Sequence, residues 1–147
     1  MSKRDYCFEL KSNLSELKTL CRHLEDCSHA MGLPPKCLSE INLGLDELFT
    51  NIITYGFEDK LEHQIKFSLA KFEKTLVVKV EDDGIPFNPL DVKGHEISQD
   101  LDSINIGGLG IHLIKKMMDD IVYQRLEGKN KIILKKCVEP SQFSGKC

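Results

Sequence analysis

Three short segments of this 147-residue chain carry residue types and spacings that could do chemistry. The first is Glu47 and Asn51, four residues apart, so that on a helix their side chains lie one turn apart on one side. No Lys or Arg stands at four-residue spacing to neutralise Glu47. A carboxylate and a carboxamide on a face with Gly44 are hard oxygen ligands, of the kind magnesium takes directly or through water. The second segment is Asp82-Asp83-Gly84, directly after an alternating apolar run. A carboxylate there can accept a hydrogen bond from an exocyclic amine, and a glycine lets a flat ring approach the backbone. The third is Gly107-Gly108-Leu109-Gly110, ahead of an apolar helical pattern. Glycines permit dihedrals that aim successive N–H groups at one point, and a helix N-terminus favours an anion. Each segment also has a plainer reading: a solvated helix face, an acidic turn and a flexible hinge. The chain has no G-x-x-x-x-G-K-[S/T] run and no G-x-G-x-x-G after its first strand, so a P-loop and a dinucleotide fingerprint are both excluded.

The elements that must position these segments follow from periodicity. Residues 6–10 alternate as a first, edge strand. Asn13 can cap a helix, with Glu16 three residues on, and Leu14, Leu17, Leu20, Cys21 and Leu24 recur at helical spacing through Met31. Gly32 ends that helix and Pro34-Pro35 opens the next. In the second helix Leu38, Ile41, Leu45, Leu48, Phe49 and Ile52 make a core stripe, and Gly56 stops it. The polar face of this helix runs Glu40, Gly44, Glu47, Asn51. Ile65, Phe67 and Leu69, then Leu76, Val78 and Val80, alternate as two half-buried strands joined near Glu73-Lys74. Residues 82–89 must turn.

Residues 88–106 form a loop long enough to suggest a functional or mobile segment. A helix follows with Ile111, Leu113, Ile114, Met117 and Met118. Two strands, 121–126 and 131–136, are joined by a turn at Gly128-Lys129-Asn130, and the tail frays after Pro140. Hairpin-joined strands and grouped helices predict an α+β two-layer sandwich, with helices on one face of a mostly antiparallel mixed sheet. A single domain over residues 1–147 is expected, with its core at about 4–137 and a tail over 138–147.

Apolar residues make up 41% and charged residues 29%, the balance of a soluble globular domain. The net charge of −3 argues against a protein that grasps a nucleic-acid backbone. No apolar run approaches the roughly 18–20 residues of a membrane span, and no export signal is visible. A cytoplasmic location is expected. The six cysteines form no C-x-x-C pair and read as reduced, apolar-behaving thiols.

Taken in order, Glu47-x-x-x-Asn51, then Asp82-x-Gly84-x-Pro86-Phe87, then Gly107-Gly108-Leu109-Gly110 resemble the N box and the two glycine boxes of the GHKL (Bergerat-fold, histidine-kinase-like) ATPases. The segments Leu45-Asp46-Glu47-Leu48-Phe49-Thr50-Asn51 and Gly110-Ile111-His112-Leu113-Ile114-Lys115-Lys116-Met117-Met118-Asp119 look most like those of the anti-sigma-factor serine/threonine kinases. That resemblance implies ATP and magnesium (Mg2+) as cofactors. Asn51 would hold the magnesium, and Glu47 would be the general base for a substrate hydroxyl. Asp82 would bind the adenine amino group, with Gly84 and Pro86 walling the ring. Residues 88–106 would be a lid, and the glycine box over Gly107, Gly108, Leu109 and Gly110 would contact the phosphates.

The same resemblance implies an ATP-dependent protein kinase that sequesters a sigma factor and phosphorylates an anti-sigma antagonist. A homodimer is common among such kinases. The other function considered is a nucleotide-gated partner switch with little phosphotransfer. Three positions depart from the family pattern. Pro86 stands where the wider superfamily has glycine, Asn130 stands where many relatives carry Gly-Thr, and the lid offers only Lys93 and His95 as cations.

Overall fold

A computed structural model describes residues 3–91 and 108–138 of the chain. In chain order these form β1 (Lys3–Lys11), α1 (Leu17–Met31), α2 (Pro35–Tyr55), β2 (Gln64–Phe72), β3 (Thr75–Asp82), α3 (Gly108–Met117), β4 (Asp120–Leu126) and β5 (Lys129–Cys137). Two 3-10 turns, Leu14–Glu16 and Pro89–Asp91, precede α1 and follow β3. The greater part of the predicted lid, from residue 92, and Lys93, His95 and Gly107 with it, lies outside the described residues, as does the tail beyond Val138.

The five strands form one sheet in the order β1-β2-β3-β5-β4. Every pairing among them is antiparallel, where the sequence allowed for a mixed sheet. The two hairpins explain much of this. One turns at Glu73, with φ 54°, and the other at Glu127 and Gly128, with φ 54° and 79°. Two consecutive residues at positive φ are the mark of a two-residue hairpin loop. The second turn therefore comes earlier than the sequence suggested, and Asn130 belongs to β5 rather than to the turn.

Alternation puts one face of the sheet under the helices. Phe8 and Leu10, then Ile65, Phe67 and Leu69, then Leu76, Val78 and Val80, then Ile132 and Leu134 are all buried. On the other face Cys7, Glu9, Lys66, Lys79 and Lys135 are exposed. The core layer is aromatic at its centre, where Phe8 stacks on Phe67 with ring centroids 4.9 Å apart and Phe49 of α2 lies 6.0 Å from Phe67. His23 of α1 stacks on Phe8 at 4.1 Å, which ties α1 to the edge strand.

Helix boundaries follow local chemistry. Asn13 Oδ1 accepts from the Ser15 N–H at 2.9 Å just before α1, and α1 ends at Gly32 in a left-handed conformation. Pro35 occupies the first turn of α2, where its missing N–H costs nothing. Of the predicted α2 stripe, Ile41, Leu45, Leu48, Phe49 and Ile52 are fully buried and Leu38 partly so. Helix α3 packs across α2 at Gly44, where an added Cβ would meet Ile114 Cγ1 at 3.0 Å. Lys136 of β5 closes the far end of this contact, bonding Glu40 Oε1 at 2.9 Å and the Met117 carbonyl at 3.0 Å.

Cys7, Cys21, Cys27 and Cys37 are free thiols, whereas Cys137 is disulfide-bonded and departs from the expectation of reduced cysteines. No helix among the described residues is long and apolar enough to cross a membrane.

The α2 stripe gives a direct expectation. Leu45, fully buried, and Leu43, exposed, sit two residues apart. Leu45→Ala should cost about 2–5 kcal/mol in denaturant unfolding. Leu43→Ala should stay within about 0.5 kcal/mol of the parent. Equal losses would mean that α2 faces the sheet differently.

Candidate functional site

The polar side of α2 is not a solvated face. Gly44 lies under α3, and Asn51 is 4% exposed. The Asn51 Nδ2 donates to the Pro89 carbonyl, 3.4 Å away, so this side chain ties α2 to the turn that follows β3. Glu47, one helical turn back, is half-buried, and its Oε2 is out of water with no hydrogen-bond partner among the described residues. Burial pushes the Glu47 carboxyl above its usual range. A hydrogen bond with Asn51 draws it back, and the neighbouring charge of Asp46 adds to the rise. A half-buried carboxylate with an unmet oxygen, beside a buried carboxamide, is a donor set that suits a hard divalent cation. It equally suits a proton acceptor, because an unsatisfied buried acceptor is costly until a donor arrives.

Asp82 ends β3 on its inner face and is 4% exposed. Its Oδ1 accepts from the Gly84 N–H at 2.8 Å and from Asn130 Nδ2 at 3.0 Å. Burial raises the Asp82 carboxyl above the usual range. The bonds from Asn130 and Gly84 oppose that rise, the charge of Asp83 adds to it and Arg125 lowers it. The chain then folds back hard on α2. The Ile85 N–H donates to the Gly56 carbonyl at 2.9 Å, just past the end of α2. A Cβ on Gly84 would overlap that same carbonyl oxygen, so Gly84 must be glycine for this packing alone. Pro86 is exposed, and Phe87 rests against Tyr55 of α2 with centroids 5.9 Å apart. Arg125 of β4 reaches across and donates to the Gly84 carbonyl at 2.8 Å.

Helix α2 thus joins two of the three predicted segments, with Glu47 and Asn51 on its side and Gly56 at its end. The third segment is present as the start of α3, which opens at Gly108 and runs through Leu109 and Gly110.

Two groups near the site were not singled out as site residues from the sequence. Asn130 is 1% exposed, pairs in register with Asp82, and makes four hydrogen bonds around the turn. The available signal was alternation, since Asn130, Ile132 and Leu134 share the inward face of β5. The other is His63. Its Nε2 lies 2.8 Å from Asp59 Oδ1, its Nδ1 lies 3.1 Å from Asp83 Oδ1, and its ring stacks on Phe57 at 4.3 Å. His63 therefore bridges the α2–β2 connection to the residue next to Asp82. Asp83 and Asp59 stand 20 and four residues from it, and no periodicity links them.

A five-stranded antiparallel sheet with helices on one face, and a polar helix side facing a glycine turn, defines the histidine kinase-like ATPase class of fold. Sequence comparison bears this out. The histidine kinase-like ATPase domain matches residues 10–136, and the chain belongs to that family. The serine-protein kinase RsbW of Listeria monocytogenes is 26% identical over 108 residues, covering 71% of this chain and 69% of the relative. The serine/threonine-protein kinase BtrW of Bordetella bronchiseptica is 26% identical over 94 residues, covering 64% and 66%. Among solved structures, the histidine kinase domain of a blue-light activated histidine kinase from Erythrobacter litoralis superposes with a TM-score of 0.51 at 18% identity. That match covers 83% of this chain and 61% of the solved one, so the chain spans less than two thirds of that kinase, and the likeness is one of fold. The resemblance read from the three motifs is thereby borne out, and membership in an ATPase domain family implies ATP binding.

The His63 bridge has a pH signature. Both ring nitrogens face carboxylate oxygens, which only the doubly protonated ring can satisfy. The hydrogen bond to Asp59 raises His63 above its usual value, burial opposes it, and the charges of Asp59 and Asp83 add to the rise. A raised histidine stabilises the fold fully below about pH 6.5 and loses that contribution as pH climbs past its folded value. The melting temperature lost on His63→Gln should therefore be larger near about pH 6 than near about pH 8.5. An equal loss at both would mean that the ring is not held as a cation.

Proposed function

We propose that the chain is an ATP-binding protein serine/threonine kinase acting as one domain in the cytoplasm, with a sigma factor and its anti-sigma antagonist as partners and the antagonist as phosphoacceptor. The single observation that carries the kinase reading is the Glu47 carboxylate. It is half-buried, its Oε2 has no partner among the described residues, and it stands one turn from Asn51. The kinase names of the relatives and the order of the three motifs support the same reading. The partners rest on the motif resemblance, as does the pairing of two copies of the chain.

In this reading Asp82 takes the amino group of adenine, with Gly84 and Pro86 beside the ring. The amides that open α3, at Gly108 and Gly110, receive the phosphates, with Gly107 and Leu109 in the same box. The Asn51 carboxamide fits the magnesium ion. Its nitrogen is engaged by Pro89, so its oxygen is the free donor atom of the pair. Magnesium, when bound, supplies neutralisation of phosphate charge. Glu47 orients an incoming seryl hydroxyl and accepts its proton. Burial serves that role, because it raises the carboxyl toward working pH and makes it a better base. The alternative is a nucleotide-gated switch that binds its partner without transfer.

The two residues of the α2 face separate these readings. Asn51→Ala should weaken magnesium-dependent ATP binding in calorimetry and abolish turnover as a consequence. Glu47→Ala should keep ATP affinity within a few-fold while cutting transfer of labelled phosphate to the antagonist by roughly 10²–10⁴. Transfer at the parent rate by Glu47→Ala would exclude the base role and favour the switch.

A further inference from the structure

We propose that the face of the sheet turned away from the helices docks an acidic amphipathic helix of a partner protein. The seat is an aliphatic band made by Ala70, Val77, Ile133 and Val122, flanked by Lys79 and Lys66 on one side and Lys135 on the other.

The helices pack on the face that carries Phe67, Val78 and Leu134, so among the described residues no second layer covers the other face. An antiparallel sheet face left to water turns polar residues outward. Here that pattern breaks in the middle of four strands. Ala70 on β2 stands opposite Val77 on β3, and Ile133 on β5 stands opposite Val122 on β4. Val77 pairs with Lys135, which makes Ile133 its diagonal neighbour on the same face. The four side chains therefore run as one band across the sheet. Ala70, Val77 and Ile133 are half-buried by their neighbours, and Val122 is exposed. Three strand spacings of about 4.8 Å make the band about 15 Å long, the length of about ten residues of helix.

The charge around the band is one-sided. The central strands turn Lys66, Lys79, Lys129, Lys131 and Lys135 to this face, with Glu81 as the carboxylate among them. Glu81 is already held by Lys129 at 3.3 Å and by Lys131 at 3.9 Å. Lys66, Lys79 and Lys135 have no ion-pair partner among the described residues. The other carboxylates of this face, Asp5, Glu9 and Asp120, stand on the edge strands β1 and β4. This basic centre belongs to a chain whose net charge is −3. Aliphatic contact along the middle, with unpaired ammonium groups on both sides, matches a helix that has an apolar stripe and carboxylates along its flanks. A nucleic-acid backbone would use the lysines and leave the band without a role. An occupant here lies across the sheet from α2, so it leaves the side with Glu47 and Asn51 uncovered.

The test uses three synthetic peptides of about 18 residues. One is a helix with leucine on one side and glutamate on the other, one has lysine in place of the glutamate, and one is glutamate throughout. Fluorescence anisotropy with the full chain should show the leucine–glutamate peptide binding at least about tenfold tighter than either of the others. Its amide shifts in NMR should map to β2, β3 and β5. Lys79→Glu combined with Lys135→Glu should lower that affinity at least about tenfold, and Val122→Glu alone should do the same. Thermal unfolding checks that each variant folds. If the paired charge reversal does not, Val122→Glu, on an edge strand, carries the test. Equal binding by the all-glutamate peptide would reduce the face to diffuse charge and overturn the proposal. Shifts confined to the helix side of the sheet, or parent affinity in the folded variants, would overturn it too. A full chain that sediments as a dimer and becomes a monomer on Val122→Glu would put a second copy on this face, which likewise overturns it.

Discussion

A carboxylate taken out of water at the end of a central strand must be hydrogen-bonded or neutralised, and the region around Asp82 is built to that requirement. Two N–H donors converge on its Oδ1, one from its own turn and one from β5. The first forces residues 82–84 to turn tightly. The second requires β5 to run beside β3 in the register that sets Asn130 against Asp82. The tight turn then carries the chain onto the end of α2, where the Gly56 carbonyl takes the Ile85 N–H and leaves no space for a side chain at Gly84. One buried charge thus links sheet register, turn conformation and the seat of a helix.

Helix α2 carries the link onward. Its apolar stripe stabilises the fold by lying on the aromatic layer of Phe8, Phe67 and Phe49, while its other side spends some of that stability on polar groups. Glu47 Oε2 and Asp46 Oδ1 are both out of water and unpartnered among the described residues. Each such oxygen costs on the order of 1–3 kcal/mol. A helix selected for stability alone would not keep them, and a cation or a proton donor at these oxygens would recover the cost. Asn51 couples the two regions directly, since its bond to Pro89 joins the Glu47 side of α2 to the segment leaving Asp82.

Much of this was legible in the sequence because local rules govern it. Pro35, Gly32 and Gly56 mark helix ends by backbone chemistry, and strict alternation marks β2, β3 and β5. What escaped depended on contacts between distant residues or on unusual backbone. Glu127 takes a positive φ without being glycine or asparagine, so sequence rules place the second hairpin turn too late and leave Asn130 outside the sheet. With the turn in its true place, alternation puts Asn130 on the buried face. The polar side of α2 reads equally as solvent-facing until α3 is seen to cover Gly44. His63 finds Asp83 only because the α2–β2 connection comes back beside the end of β3.

In the proposed function the Asp82 turn and the α2 face form one nucleotide site. Calorimetric titration of ATP into the full chain, with and without magnesium, tests this most directly. A single shared site gives saturable one-to-one binding that strengthens when magnesium is added. A folded chain that gives no ATP binding in either condition, or binding indifferent to magnesium, would contradict it.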